Sequence, residues 1–183
     1  MKKEAELILE EIEKIAKENK LPIIGKNKGK IIVDFLNKHK SKKLLEIGTL
    51  IGYSAIFIAS YTKAKVTTIE INEEIAKIAL KNIKNAGLEN KIKVIIGDAL
   101  DVIPKLNDIF DSMFIDAEKS QYLKYLILAE PKLKNNSIII ADNVKKFENE
   151  MKDFLNYVRN NKLYKSITIE VDDDALEIII KKF

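Results

Sequence analysis

Residues 44–54 read Leu44-Leu45-Glu46-Ile47-Gly48-Thr49-Leu50-Ile51-Gly52-Tyr53-Ser54, and this stretch decides the fold. A short apolar run, Lys43 to Ile47, has the length of a buried strand. It passes through two glycines into a second apolar run, Gly52 to Tyr61, that has the length of a helix. Glycines at such a junction let the backbone turn sharply and approach a ligand closely. The spacing is E-x-G-x-x-x-G. A dinucleotide fingerprint, G-x-G-x-x-G, requires glycine two residues after Gly48, where this chain has Leu50, so a pyrophosphate site fits poorly. Alone, the glycine pair is weak evidence, since glycines that merely tighten a strand–helix turn leave the same pattern.

Working outward, Ala5, Ile8, Ile12 and Ile15 recur at helical spacing, Pro22 and Gly25 interrupt, and Ile31, Ile32, Phe35 and Leu36 begin a second helical face. Downstream, strand and helix patterns alternate. Lys65 to Ile71 reads as a strand, and Asn72 caps a helix that Gly87 ends. Then come strand Lys91 to Ile96, a short helix around Pro104, strand Phe110 to Asp116, a helix to Leu133, and strand Ser137 to Asp142. Five such units predict an α/β fold, a doubly wound sheet whose parallel strands are joined by right-handed crossovers. Ligands gather at the carboxyl ends of the strands in such sheets. A helix from about Lys145 to Asn161 precedes a β-hairpin: Tyr164 to Val171, the turn Asp172-Asp173-Asp174, and Ala175 to Lys182.

The 183 residues, 46% hydrophobic, have the size of one domain spanning 1–183, with 1–40 forming two helices over the ligand site. The net charge of +4 is spread along the chain and permits an anionic partner without requiring one. Absence of cysteine excludes disulfides, thiolate ligands and cysteine nucleophiles, leaving oxygen and nitrogen donors for any metal. The single histidine, His39, follows a lysine-rich helix end and reads as a dipole partner, so no histidine-based triad can be built. No apolar run approaches the roughly 20 residues of a membrane span, and a soluble cytoplasmic protein is expected.

Each predicted strand ends in residues able to bind. Glu70 can accept both hydroxyl protons of a ribose, and in Gly97-Asp98-Ala99 either Asp98 or a backbone amide can bond a base. Asp116, Asp142 and the side-chain oxygen of Asn143 are hard oxygen donors suited to Mg²⁺ or Ca²⁺. Two adjacent buried carboxylates without a cation would repel.

On these residues the chain resembles the cation-dependent O-methyltransferases typified by the catechol and caffeoyl-CoA enzymes. The resemblance runs through Gly25-Lys26-Asn27-Lys28-Gly29 and Leu45-Glu46-Ile47-Gly48, and from Glu70 through Ala86-Gly87-Leu88 and Gly97 to Ile103-Pro104. Its most specific part is D-A-x-K-x-x-Y at Asp116, Ala117, Lys119 and Tyr122, followed by Ala141-Asp142-Asn143-Val144. It implies a Rossmann-like methyltransferase sheet, mostly parallel, with a C-terminal antiparallel hairpin. It implies an S-adenosylmethionine pocket formed by Ile24, Glu46, Gly48, Gly52, Ser54, Glu70, Ile71, Asp98, Ala99 and Asp116. It also implies a metal site of Asp116, Asp142 and Asn143 for Mg²⁺, or another hard cation such as Ca²⁺ or Mn²⁺. Lys119, beside Asp116, would take the proton of a hydroxyl that receives the methyl group. The expected substrate is a small hydroxylated molecule, aromatic or a vicinal diol, and the expected assembly is a homodimer.

Three departures from that family pattern bear on the substrate. Little is inserted after Asn143, so the pocket is expected to be open. No acid can be placed on a second substrate hydroxyl, and the hairpin carries Asp174-Ala175 where the family often has Asp-Gly. Lys26, Lys28, Lys30, Lys38, Lys40, Lys42 and Lys43 could form a basic entrance for tRNA carrying a hydroxylated uridine. A solvated helix face is the favoured reading, because no aromatics interleave them. Tyr122 reads as a core tyrosine without a role.

Overall fold

Alternation of apolar residues along each strand gives the chain two cores, one on either face of a single sheet. The computed structural model describes residues 3–182, so residues 1, 2 and 183 of the expected 1–183 span lie outside the described residues. In chain order the elements are α1 (Lys3–Asn19), α2 (Gly25–Lys38), β1 (Lys43–Ile47), α3 (Tyr53–Tyr61), β2 (Lys65–Glu70), α4 (Glu73–Asn85) and β3 (Ile92–Ile96). They continue with α5 (Ala99–Val102), β4 (Phe110–Ile115), α6 (Tyr122–Ala129), β5 (Leu133–Ala141), α7 (Lys152–Asn160), β6 (Tyr164–Val171) and β7 (Asp174–Lys181).

The strands form one seven-stranded sheet in the order β3-β2-β1-β4-β5-β7-β6. β1 to β5 are parallel, and β7 runs antiparallel to both β5 and β6. This is the doubly wound α/β sheet with an antiparallel hairpin that the sequence predicts. Leu44, Val66, Phe114, Ile138 and Ile140 face one core with α1, α2 and α3. Leu45, Ile69, Met113, Ile115 and Ile139 face the other with α6 and α7. The alternation is the period-2 geometry of a strand whose two faces are both covered. α3 is the exception to amphipathicity: Tyr53 to Ala59 are all buried, since this helix has neighbours on every side.

Several boundaries differ from the sequence expectation, and the helix expected to reach Leu133 ends at Ala129, because Pro131 follows within a tight turn. β5 begins at Leu133 and not at Ser137. Its first residues, Lys134-Asn135-Asn136, are polar, Asn136 is left-handed (φ 60°), and the pairing with β4 shifts register there, so no apolar period marks them. The helix expected from Lys145 begins at Lys152. Residues 144–146 are tied to the hairpin, because Val144 N donates to Ala175 O (3.2 Å) and Lys146 N to Asp174 Oδ1 (3.1 Å). The hairpin turn is shorter than expected. Val171 pairs with Asp174, which leaves Asp172-Asp173 as a two-residue loop with Asp172 at φ 55°, and makes Asp174 the buried first residue of β7.

Asn72 does cap α4, its side-chain oxygen accepting from Glu74 N (3.0 Å) and Ile75 N (3.1 Å). Two of the helix's otherwise unpaired amides are thereby satisfied. Asn72→Ala is expected to lower stability by about 1 kcal/mol in urea denaturation, the usual worth of such a cap, with no change in the slope of the transition.

Candidate functional site

The sheet's hydrogen-bond ladder runs one residue beyond the strands. Gly97 N donates to Glu70 O (2.9 Å), Gly48 N to Ile69 O (3.1 Å), Asp116 N to Ile47 O (2.9 Å) and Asp142 N to Ile115 O (3.0 Å). Gly97, Gly48, Asp116 and Asp142 therefore stand along one carboxyl edge. Gly48 is held at φ 97°, and a Cβ there would lie 2.1 Å from the carbonyl oxygen of Asp116. No other residue allows β1 to turn this close to the end of β4. Gly52 supplies the left-handed N-cap of α3 (φ 91°).

Above this edge opens a cavity of about 840 Å³, within the usual range for small-molecule sites. Ile24, Gly48, Ser54, Glu70 and Ile71 line it, as do Asp98, Ala99, Asp116, Lys119 and Asn143. Glu46 and Gly52, expected among the lining residues, are not. Glu46 is 0% exposed beside Ser54 and Thr68, and Gly52 is behind the turn against Ala79. Glu70 is pinned by backbone amides, Oε2 accepting from Leu50 N (2.8 Å) and Oε1 from Asn72 N (3.0 Å). Asp98 caps α5 through Leu100 N (2.8 Å).

Both carboxylate oxygens of Glu46 lack a hydrogen-bond partner among the described residues. Burial pushes its carboxyl up to about 7, and the charges of Asp116 and Glu70 add to the rise. Ser54 and Thr68 lie near enough to ease the charge, but neither makes a well-formed hydrogen bond to it.

At the other end of the cavity, Lys119 Nζ donates to Asp116 Oδ1 (2.8 Å) and to the Tyr122 hydroxyl (3.0 Å). Its ammonium also stands 5.8 Å from the centre of the Phe147 ring. Asp142 is 2% exposed; burial, then the charge of Asp116, raises its carboxyl to about 6 against the opposing pull of Lys28. Its described side-chain hydrogen bonds, from Lys28 Nζ and Asn143 N, both fall on Oδ1. Asn143 Nδ2 donates to Asp174 Oδ2 (2.8 Å), which commits the amide's nitrogen and leaves its oxygen as an acceptor. No group of three or more His, Cys, Asp or Glu residues suited to a metal ion occurs among the described residues. The expected donor set has two carboxylates and completes itself with the Asn143 amide.

A family model described as O-methyltransferase matches residues 2–179. The chain belongs to that family. Among its relatives is catechol O-methyltransferase of Bos taurus, 35% identical over 147 residues, covering 75% of this chain and 53% of that protein. Caffeoyl-CoA O-methyltransferase of Stellaria longipes is 30% identical over 145 residues, covering 74% of this chain and 60% of that protein. The chain thus spans little more than half the length of these curated relatives. An O-methyltransferase from Bacillus cereus, solved in complex with SAH, superposes with a TM-score of 0.87 at 26% identity, covering 96% of this chain and 90% of that one.

Against the family pattern, sequence reasoning missed two residues at this edge. Lys28, read as one of seven solvated lysines, is 8% exposed, ion-paired to Asp142 and, at 2.8 Å, to Asp174 Oδ2. Asp174, read as a turn residue, is 2% exposed. Burial opposes its charge, but hydrogen bonds from Lys28, Asn143 and Lys146 N hold its carboxyl well below the usual range. The G-K-N-K-G stretch carried a signal for Lys28 only as a matched motif, since charge patterning places lysines on surfaces. Of the remaining basic residues, Lys26 pairs with Glu13 (3.2 Å) and Lys43 with Asp108 (2.9 Å). Tyr122, expected to be a plain core residue, is fully buried and also hydrogen-bonded to Lys119. No helix among the described residues is long and apolar enough to cross a membrane.

The buried Glu46 gives a pH signature. Its folded carboxyl titrates near 7 and its unfolded one near 4.5, so the folded state retains a proton between these values that the unfolded state has released. Its contribution to stability therefore falls as pH rises through that window. Glu46→Gln should gain on the parent by about 3 kcal/mol between about pH 4.5 and pH 8, as measured by denaturation at each pH. An offset that does not change with pH would show that Glu46 is not the group that titrates.

Proposed function

We propose that this chain is an S-adenosylmethionine-dependent O-methyltransferase that uses a hard divalent cation, Mg²⁺ foremost, to methylate a hydroxyl of a small aromatic or vicinal-diol substrate. The observation that carries the reading is one cavity joining two chemically distinct ends: the Gly48 turn with Glu70, and the Asp116, Lys119 and Asn143 group with Asp142 behind it. The catechol and caffeoyl-CoA relatives and the SAH-bound Bacillus cereus structure support it.

The residues fit both groups. Glu70 is oriented by two backbone amides and has lone pairs remaining for the hydroxyls of a ribose, while Gly48 leaves room beside it for the rest of the nucleoside. Asp116, Asp142 and Asn143 would hold the cation through oxygen, the donor type hard divalent cations take, and positive charge there would relieve the repulsion of two neighbouring carboxylates. When bound, the cation supplies Lewis-acid polarisation of the acceptor hydroxyl and a positive charge beside Lys119. S-adenosylmethionine, held by Glu70 and the Gly48 turn, would supply the methyl group.

The chain's own side chains orient the acceptor and remove its proton. Asp116 and Tyr122 fix the Lys119 amine, which is the group placed to accept the proton from the hydroxyl as its oxygen takes the methyl. Burial and the charges of Asp116 and Asp142 keep the Tyr122 phenol neutral and thus a steady support. Ile23, Pro22 and Phe147 give the acceptor an apolar wall, which suits an aromatic ring.

Methyl transfer from labelled S-adenosylmethionine to a catechol panel tests the reading. Excess EDTA should abolish turnover while calorimetric S-adenosylhomocysteine binding largely survives, and Glu70→Ala should weaken that binding. Lys119→Ala should lose about 10²- to 10⁴-fold in rate, with the loss shrinking as pH rises and the acceptor ionises unaided. Unchanged turnover in EDTA would overturn the cation's role. An intact rate in Lys119→Ala across the pH range would overturn the lysine's.

A further inference from the structure

The first turn of α2 is bound to the hairpin and to the end of β5 by buried charge. Lys28 sits between Asp142 and Asp174 with 8% exposure, and its neighbour Asn27 donates to both oxygens of Asp172 (3.0 and 3.1 Å). Lysine is rarely buried without a paired charge, and here two carboxylates, each about 2% exposed, share one ammonium. Lys28 does not line the cavity, so it has no path to a substrate. Its influence must pass through Asp142, or through Asp174 to Asn143.

We propose that Lys28 is a positioning residue that acts as the resident counter-cation of the metal-side carboxylates. It compensates Asp142 and Asp174 when no divalent ion is bound, and by occupying Oδ1 of Asp142 it leaves Oδ2 as the oxygen for a cation. The inference rests on the metal reading above. Charge balance gives it content. Asp116, Asp142 and Asp174 carry three negative charges, and Lys28 and Lys119 return two positive ones, so the cluster as it stands is short of neutrality by one. Lys28 therefore keeps the cation-free protein folded while moderating the pull on a divalent ion at the neighbouring carboxylates. Removing its charge makes the cluster more negative, which strengthens attraction for a divalent ion and leaves the cation-free fold in greater need of one.

The test compares the parent with Lys28→Met, close in length but neutral, and Lys28→Arg, which keeps the charge. Mn²⁺ is titrated by calorimetry, and thermal unfolding is followed in EDTA and in millimolar Mn²⁺. Lys28→Met should bind Mn²⁺ about tenfold or more tightly than the parent. Its unfolding temperature should drop in EDTA and recover in Mn²⁺, so that the ion-induced rise exceeds the parent's, as linkage requires of tighter binding. Lys28→Arg should match the parent in Mn²⁺ affinity.

Equal Mn²⁺ affinity, or an equal drop in unfolding temperature with and without the ion, would overturn the inference and leave Lys28 a strut between α2 and the hairpin. Weaker binding by Lys28→Met, or a variant that stays unfolded in Mn²⁺, would overturn it as well, since the ion is then unable to take over the compensation. A parent that binds no Mn²⁺ would instead remove the metal reading, and this inference with it.

Discussion

The contact on which the site depends is the one between the backbone of Gly48 and the carbonyl of Asp116, where even a methyl group would collide at 2.1 Å. Because β1 can turn that tightly, the loop entering α3 clears the end of β4 and leaves the cavity open above both. The same turn aims Leu50 N at Glu70, which fixes the acid at the end of β2. One glycine thus brings together the two ends of the cavity, the Gly48 turn and the Asp116 group, which come from strands nearly seventy residues apart in sequence.

The carboxyl edge gathers acids, and the fold deals with each differently. Glu70 receives backbone amides, Asp98 caps a helix, Asp116 takes Lys119, and Asp142 and Asp174 share Lys28. Glu46 receives no hydrogen bond among the described residues and responds by holding its proton to about neutral pH. The arrangement also shows why the chain's overall positive charge says little about the site, since much of that charge sits on exposed lysines elsewhere.

On β7, beside Ala141 of β5, an ion pair with a buried carboxylate serves a different purpose. Arg159 on α7 bonds both oxygens of Glu177 on β7, and Thr168 on β6 adds a third bond to the same carboxylate. Every oxygen there has a partner, and none faces a cavity lined by other acids. The pair locks α7 onto the hairpin, and so holds β7 steady as the strand that delivers Asp174 to the carboxyl edge.

The sequence by itself determined the order of strands and helices, the doubly wound sheet, the antiparallel finish, and ten of the 24 residues that line the cavity. These follow from local rules: strand and helix periods, a capping asparagine, glycines at a tight turn, and motifs of fixed spacing at strand ends. Only the tertiary structure decided the burial of Lys28 and Asp174, the retreat of Glu46 and Gly52 behind the cavity wall, and the tying of residues 144–146 to the hairpin. The physical reason is that local rules describe a chain segment and its immediate neighbours, whereas burial of charge is a property of partners. Lys28 and Asp174 are 146 residues apart. Each alone belongs in water, and the two become stable in the interior only when the fold sets them against each other beside Asp142.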